Sequence, residues 1–368
     1  MTIGRRIVAL MMAAMLAAGT ITGCGGEAAS SQAAEESASS LSQQQGQEPA
    51  EEDGPIVLTD QAGRTVTLEE PAQRIVSAYY LSSSLLIALG SEDRVVGIEM
   101  KADTREIYKR AAPQFLELPA VGSGKGVNVE ETAALEPDLV ILPIKLQESA
   151  QQFDALGIPC LVIDPETLDG FLETIRLVGE ATGTSQRAAD LAAYHQQVME
   201  DVGARTAACD TRPTVYIGGS DFLSTAGSGM YQDELITVAG GTNVAGELEG
   251  AQWTDISAEQ LIAWNPERIY MVSYAGYSRE EILADSRFAS LQGMANDGLY
   301  FQVFPSGIEP WDYPTPSSAL GILWLAAHLH PNVVSAEEYA QAAVDFYKEY
   351  YDVQVSTADL MLDGMVME

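Results

Sequence analysis

The chain has few basic residues, few histidines and few cysteines. Its 368 residues include 19 Lys and Arg against 53 Asp and Glu, which gives a formal net charge of −34. Such a surface repels a polyanion, and no basic stripe offsets the repulsion, so the composition argues strongly against a nucleic-acid partner. Three cysteines are too few for a disulfide framework. Apolar residues make up 46% of the chain, enough for the sizeable core of two domains or one large domain.

The first 23 residues have the features of a secretory signal. A basic pair, Arg5 and Arg6, precedes an apolar run over residues 7–18, which is too short to span a bilayer. Residues 21–24 are a branched residue, two small residues and a cysteine, and they resemble the bacterial lipobox. We therefore expect residues 1–23 to be a lipoprotein signal peptide and Cys24 to be lipidated. This predicts an extracytoplasmic protein held on the membrane by its lipid anchor.

Residues 24–55 are predicted to be a disordered tether. From residue 25 to residue 55 there is no aromatic residue and no Lys or Arg, while Ser, Gln, Ala and Glu are abundant. Such a segment cannot bury enough apolar surface to fold. A flexible chain of this length reaches roughly 30 Å, so the folded part is expected close above the lipid surface. Residues 354–368 are expected to form a C-terminal tail.

Two stretches of alternating strand and helix patterns follow the tether. Short β-branched runs separated by helical patterns are typical of an α/β fold with mainly parallel sheets. The alternation restarts after Pro213, which predicts two Rossmann-like α/β lobes over residues 56–183 and 209–353. The predicted strands include residues 74–77, 138–141, 160–163, 214–217 and 268–272.

One long helix is predicted between the lobes, over residues 184–208. Apolar side chains from Leu191 to Val202 recur every three or four positions. At 1.5 Å per residue the helix runs roughly 35 Å, long enough to bridge two lobes with the ligand cleft between them. His195 is expected on its exposed face.

A sequence pattern, here called the repeated phrase, occurs once in each predicted lobe. Residues 128–139 match residues 257–268 in spacing, and each copy starts with an N-cap residue three positions before a Glu or Gln. Each copy places a proline seven residues after a shared glutamate, directly before a predicted strand. Glu130 and Glu259 therefore occupy the same first-turn position of equivalent helices. Acidic residues favour helix N-termini through the helix dipole, so this position alone leaves their role open.

These features together resemble the helix-bridged substrate-binding lipoproteins of ABC importers. The resemblance is carried by residues 73–90, 127–142 and 256–272, and it covers about residues 56–352. That family handles ferric siderophores, haem, cobalamin and, in some members, molybdate or tungstate. The resemblance implies a monomer without a resident cofactor that captures an iron(III)-siderophore-type metal complex. Its partner would be an ABC permease with a cytoplasmic ATPase, and in the family a glutamate at each lobe tip, here Glu130 and Glu259, docks on the permease.

The candidate ligand residues come from loops at the carboxyl ends of predicted strands, where open α/β sheets bind ligands. Aromatic side chains suit such a cleft because they give stiff contact area with a polar tip. Only one obvious base is expected in the cleft, which slightly favours a neutral or weakly charged complex over a triscatecholate. The candidates are Tyr79, Tyr80 and Lys145 in the first lobe, and Tyr231, Tyr274, Tyr277, Glu309, Trp311 and Tyr313 in the second.

No pattern for catalysis or for a metal site is found. Residues 122–126 lack the Ser or Thr and the first glycine of a phosphate loop. His328 and His330 follow an apolar helix and precede a proline, which indicates helix-end capping. Cys160 and Cys209 are expected to have separate structural roles, with a disulfide as the alternative. An exported hydrolase or metal-dependent enzyme would need a nucleophile with a base or a ligand cluster, and an adhesin would have no need of paired tip glutamates, so we expect no enzyme.

Overall fold

The computed structural model describes residues 54–250, 252–295, 300–356 and 359. The expected signal peptide, Cys24 and all but the last two residues of the expected tether lie outside the described residues, as does most of the expected tail. Within the described residues, no helix combines the length and apolar character needed to cross a membrane.

The first lobe is built on a six-stranded sheet whose order is β6-β5-β4-β3-β7-β8. Its pairs are parallel except for the antiparallel β5–β6 hairpin. A separate antiparallel hairpin, β1–β2, precedes it. The strands are β1 (Ile56–Thr59), β2 (Thr65–Leu68), β3 (Ile75–Ser77), β4 (Val95–Glu99), β5 (Ala120–Ser123), β6 (Gly126–Val127), β7 (Leu139–Pro143) and β8 (Cys160–Ile163), and the helices are α1 (Tyr80–Ala88), α2 (Glu106–Ala111), α3 (Val129–Ala133), α4 (Gln147–Ala155) and α5 (Leu168–Thr182).

The second lobe has a sheet of order β12-β10-β9-β13-β14, with β11 also paired to β9. The pairs β9–β11, β9–β13 and β13–β14 are parallel, while those of β10 are antiparallel. Its elements are β9 (Thr214–Gly218), β10 (Ser224–Thr225), α7 (Tyr231–Val238), β11 (Thr242–Asn243), β12 (Thr254–Asp255), α8 (Ala258–Trp264), β13 (Arg268–Met271), α9 (Arg279–Ala284), β14 (Phe301–Val303), α10 (Ser318–Leu329) and α11 (Ala336–Tyr351), and α6 (Ser185–Ala207) joins the lobes.

The two lobes share one topology. The strands β4-β3-β7-β8 of the first lobe and β11-β9-β13-β14 of the second follow the same order along their sheets. In each copy of the repeated phrase the N-cap side chain, Asn128 or Ser257, accepts a hydrogen bond from the backbone N–H three residues later. The residues before the two prolines, Glu136 and Asn265, both have left-handed backbone, with φ of 51° and 45°. The repeat therefore encodes one helix-turn-strand unit twice.

The central strands are buried on both faces because helices cover both sides of each parallel sheet. All five residues of β7 are buried, which explains why its sequence is continuously apolar instead of alternating. The helix α6 packs against both α5 and α10. The α/β class with two lobes and a bridging helix, as expected from the sequence, is confirmed.

The expectation that His195 lies on an exposed face of α6 is wrong. Its side chain is buried, its Nε2 lies 2.8 Å from the carbonyl oxygen of Pro316, and its ring meets Phe171 edge to face at 5.2 Å. Burial lowers the pKa of the imidazole to about 4. His328 also departs from its expected capping role, because its ring packs against Trp324 at 4.1 Å. Both Cys160 and Cys209 are free thiols, so the disulfide alternative is excluded.

Candidate functional site

A cavity of about 550 Å³ opens at the carboxyl ends of the first-lobe strands. Five successive strand ends contribute to its lining, as expected for an open parallel sheet. The segments are Tyr79 and Tyr80 after β3, Glu99 to Lys101 at the end of β4, Ser123 to Lys125 at the β5–β6 turn, Pro143 to Lys145 after β7, and Ile163 to Glu166 after β8. Arg105 completes the lining at the start of α2.

Three candidate ligand residues, Tyr79, Tyr80 and Lys145, lie together in this cavity. The Tyr79 hydroxyl donates a hydrogen bond of 3.3 Å to Glu166 Oε1, which fixes the ring across the cavity. Tyr80 is the first residue of α1 and is buried except for its cavity edge, while Lys145 is exposed. Tyrosines anchored in this way give a stiff wall with little entropy to lose on binding.

The cavity holds four basic side chains, not the single one expected. Lys101, Arg105 and Lys125 join Lys145, against the three acidic residues Glu99, Asp164 and Glu166. In a chain of net charge −34 this is a local excess of positive charge. The strand-end rule could have found Lys101, two residues after the end of β4, and Lys125 in the β5–β6 turn, but it does not reach Arg105 at the start of α2.

Arg105 has the most specific surroundings of the four basic residues. Its guanidinium lies 3.8 Å from the centroid of the Tyr80 ring, in a cation–π arrangement. Its Nε is buried and has no hydrogen-bond partner among the described residues. A buried guanidinium donor without an acceptor is costly, so this atom is a strong candidate for contact with an anionic ligand.

Glu99 forms the floor of the cavity and is tied into the protein. Its carboxyl oxygens accept hydrogen bonds of 2.6 Å from Ser83 Oγ and 2.8 Å from the Tyr108 hydroxyl. Burial raises the pKa of this carboxyl, although these two donors oppose the shift. These two hydrogen bonds hold the Glu99 carboxyl in place at the cavity floor.

Two second-lobe candidates, Tyr274 and Tyr313, reach the wall formed by Tyr80. The Tyr313 ring meets Tyr80 edge to face at 6.1 Å, and Tyr274 meets Tyr313 at 5.5 Å. Tyr274 is 46% exposed. Asp312 supports this pair by accepting hydrogen bonds from the backbone N–H and hydroxyl of Ser273, and burial raises its pKa to about 6. The aromatic contact therefore crosses from one lobe to the other.

The remaining second-lobe candidates do not line the cavity. Trp311, expected as an exposed wall residue, is 1% exposed and donates its indole N–H to the Tyr347 hydroxyl at 3.0 Å, so that expectation is corrected. Tyr231 is buried, with its hydroxyl 3.3 Å from the Ser318 carbonyl oxygen. Glu309 is also buried, between the lobes. Sequence reasoning placed these side chains in the cleft because loop position does not tell which way a side chain points.

Tyr277 packs within the second lobe instead of on the cavity. Its ring meets Phe222 edge to face at 5.6 Å. Its buried hydroxyl has no hydrogen-bond partner among the described residues. It therefore belongs to the apolar cluster beneath the β9 and β13 strand ends.

Glu130 and Glu259 are both exposed in the first turns of α3 and α8. Hydrogen bonds from its own backbone N–H and from Ser257 lower the pKa of Glu259, so at least this carboxylate also stabilises its helix start. Both remain free to meet a partner surface.

The comparisons with known proteins agree with this architecture. A family model described as periplasmic binding protein matches residues 75–301. The chain belongs to the periplasmic binding protein family. The resemblance inferred from the sequence is thereby confirmed. Among the residues that the structure describes, no group of His, Cys, Asp and Glu is arranged to hold a metal ion.

Three relatives show which proteins this periplasmic binding protein is similar to. The molybdate-binding protein MolA of Haemophilus influenzae is 26% identical over 322 residues, which are 80% of this chain and 90% of MolA. Its molybdate-bound structure has a TM-score of 0.73 at 25% identity, covering 82% of this chain and 99% of MolA. An uncharacterized ABC transporter substrate-binding lipoprotein of Bacillus subtilis, YvrC, is 27% identical over 224 residues, 58% of this chain and 68% of YvrC. A vitamin B12-binding protein of Yersinia pestis is 26% identical over 202 residues, 54% of this chain and 69% of that protein.

Proposed function

We propose that this periplasmic binding protein is the substrate-binding lipoprotein of an ABC importer and captures an anionic metal complex of the ferric siderophore type. The observation that carries the proposal is the group of four basic side chains in one cavity of a strongly acidic protein. Arg105, whose Nε has no hydrogen-bond partner within the part of the chain that the structure describes, is the most specific member of that group.

The excess of positive charge in the cavity favours an anionic ligand. A guanidinium presents several donors in one plane and stacks on aromatic rings, so it suits oxygen-rich planar anions such as catecholates. Its position over Tyr80 keeps the guanidinium oriented before the ligand arrives. The three lysines are exposed members of the same cavity lining, and they attract an anion against the general negative field of the protein. This replaces the weak preference for a neutral complex that a single base would favour.

The size of the cavity favours a complex with an organic shell. A volume of about 550 Å³ lies within the range of sites for organic ligands of moderate size. The aromatic edges of Tyr79 and Tyr80 offer contact area that such a shell can use. A bare tetrahedral oxyanion would leave much of this surface without contact.

A molybdate-type oxyanion is the second candidate. It is supported by the likeness to MolA, which extends over 80% of this chain, and by the positive charge of the cavity. Cobalamin has support from a shorter stretch of similarity, which covers 54% of this chain. Haem, whose carboxylates are anionic, is compatible with the charge of the cavity.

Delivery to the importer completes the proposal. We infer that Glu130 and Glu259, one on each lobe, dock on the permease, and that Cys24 carries the lipid anchor. The equivalent positions of the two glutamates in the repeated helix-turn-strand unit support the first inference. The lipobox-like residues 21–24 support the second.

Calorimetric titration of the purified protein with a panel of compounds tests the ligand class. The panel contains a ferric triscatecholate complex, molybdate, cyanocobalamin and haem, each also scored by its effect on thermal unfolding. At a hundredfold excess over Kd a ligand stabilises the fold by about 2.7 kcal/mol, which is readily measured. We expect the ferric complex to bind. Binding of molybdate alone would select the second candidate, and binding of cobalamin without either anion would contradict the charge argument.

A further inference from the structure

The carboxyl group of Glu309 is buried between the two lobes. It is 1% exposed and lies in the segment that connects β14 to α10. Its oxygens accept hydrogen bonds from Ser84 Oγ, from the Tyr351 hydroxyl at 3.1 and 3.2 Å, and from the Ser317 backbone N–H at 3.1 Å. Burial raises its pKa while these donors oppose the shift.

The three donors belong to three different parts of the fold. Ser84 lies in the first-lobe helix α1, Tyr351 ends α11, and Ser317 precedes α10. A buried carboxyl with only neutral donors adds little net stability compared with an apolar replacement, because its desolvation is costly. Losing it, however, leaves the Ser317 N–H and at least one of the two hydroxyls, which lie 3.2 Å from each other, without their acceptor. A network of this kind selects one arrangement of the elements it joins.

The same two segments make the aromatic contact at the cavity. Tyr80 and Ser84 are four residues apart on α1 and therefore share one face of the helix. Glu309 and Tyr313 are four residues apart in the facing segment. Ser84 bonds Glu309, and Tyr80 meets Tyr313 at 6.1 Å. The Ser84–Glu309 hydrogen bond and the Tyr80–Tyr313 ring contact therefore both depend on the same alignment of α1 with the second lobe.

We propose that Glu309 is a positioning residue that pins α1 of the first lobe to the second lobe and thereby holds the Tyr80–Tyr313 contact in place. Since Tyr80 also carries the stacked Arg105 guanidinium, Glu309 thereby also helps to fix the part of the cavity lining that Tyr80 and Arg105 form. The inference depends on the geometry of the fold and not on which ligand is bound.

The test is an interlobe distance measured without ligand. Spin labels are attached to the full-length chain at Leu156→Cys in the first lobe and Ile262→Cys in the second, both exposed positions. The native cysteines, Cys24, Cys160 and Cys209, are replaced by Ser in every sample. Pulsed electron spin resonance then gives the distribution of distances. Glu309→Ala should lose the single narrow population and shift toward longer distances, whereas Glu309→Gln, which keeps an acceptor of the same shape, should restore most of it.

Two further variants separate positioning from general destabilisation. Asp60→Ala removes another buried carboxyl, one whose partners, including Arg64 and the Val162 N–H, all lie in the first lobe. It should lower the unfolding temperature without changing the interlobe distances. Ser84→Ala removes only the first-lobe hydroxyl, and it keeps the test usable if Glu309→Ala does not fold. Folded Ser84→Ala and Glu309→Ala proteins with the parent distance distribution would overturn the proposal.

Discussion

Replacing Arg105 by Ala is the most direct test of the cavity. The substitution removes a half-buried guanidinium that lies 3.8 Å from the Tyr80 ring centroid and whose buried Nε has no hydrogen-bond partner among the residues described. A hydrogen bond between a charged group and its partner contributes about 1.5 to 3 kcal/mol. We therefore expect Kd for a ferric triscatecholate complex to rise roughly tenfold to a hundredfold, measured by isothermal titration calorimetry. Arg105→Lys keeps the charge but loses the planar donor set, so its Kd should lie between those of the parent protein and Arg105→Ala.

A matched control is available four residues away. Lys109→Ala removes a basic residue from the same helix, α2, but one that is exposed and paired with Glu106 at 3.5 Å outside the cavity. Its Kd should equal that of the parent protein. Raising the ionic strength should weaken binding through the exposed lysines, since the Debye length at physiological salt is about 8 Å. An Arg105→Ala protein that binds the complex as tightly as the parent would refute the assignment of this residue to the ligand.

Four further outcomes are expected. Cys24→Ala should move the protein from the membrane to the soluble fraction, and retention after a carbonate wash would contradict the lipid anchor. Replacing Glu130 and Glu259 together by Ala should abolish uptake in a transport assay while leaving Kd unchanged, because both side chains are exposed. Trp311→Ala should lower the free energy of unfolding by about 3 to 5 kcal/mol in chemical denaturation, as for other buried large aromatics. Burial lowers the pKa of His195 to about 4 in the folded protein, whereas the unfolded chain binds a proton at this residue below about pH 6.5. The contribution of His195 to the free energy of unfolding should therefore fall by about 3 kcal/mol between pH 6.5 and 4, and His195→Gln should flatten that pH dependence.

Local signals predicted the helix-turn-strand units well. The N-cap residues Asn128 and Ser257 each start a helix, and each proline is followed by a buried central strand, as the repeat indicates. These features depend on a few neighbouring residues, so they can be recognised from the sequence alone. The bridging helix can also be predicted from the sequence, because its apolar positions recur with the helical period.

Side-chain orientation in loops was predicted less well. Trp311 lies in a proline-flanked loop, where an aromatic residue has the same local sequence whether it covers a core or a cleft. His195 was expected in solvent although it lies four residues after Leu191 and seven before Val202, and therefore on the same face of α6 as these buried residues. The helix is covered by both α5 and α10, so side chains on this face are buried whether they are apolar or polar.

The sequence by itself determined the α/β class, the two lobes, the bridging helix and the family, because periodicity, capping residues and a repeated phrase are local or periodic properties of the chain. Only the tertiary structure decided which charges share the cavity. Its lining runs from Tyr79 to Glu166 and gathers five strand ends onto one edge of a sheet. Which side chains meet there depends on strand order, on the neighbours that cover each residue and on the alignment of the lobes. These depend on contacts between residues far apart in the chain, so Lys101, Arg105 and Lys125 became visible as one basic site only in the folded protein.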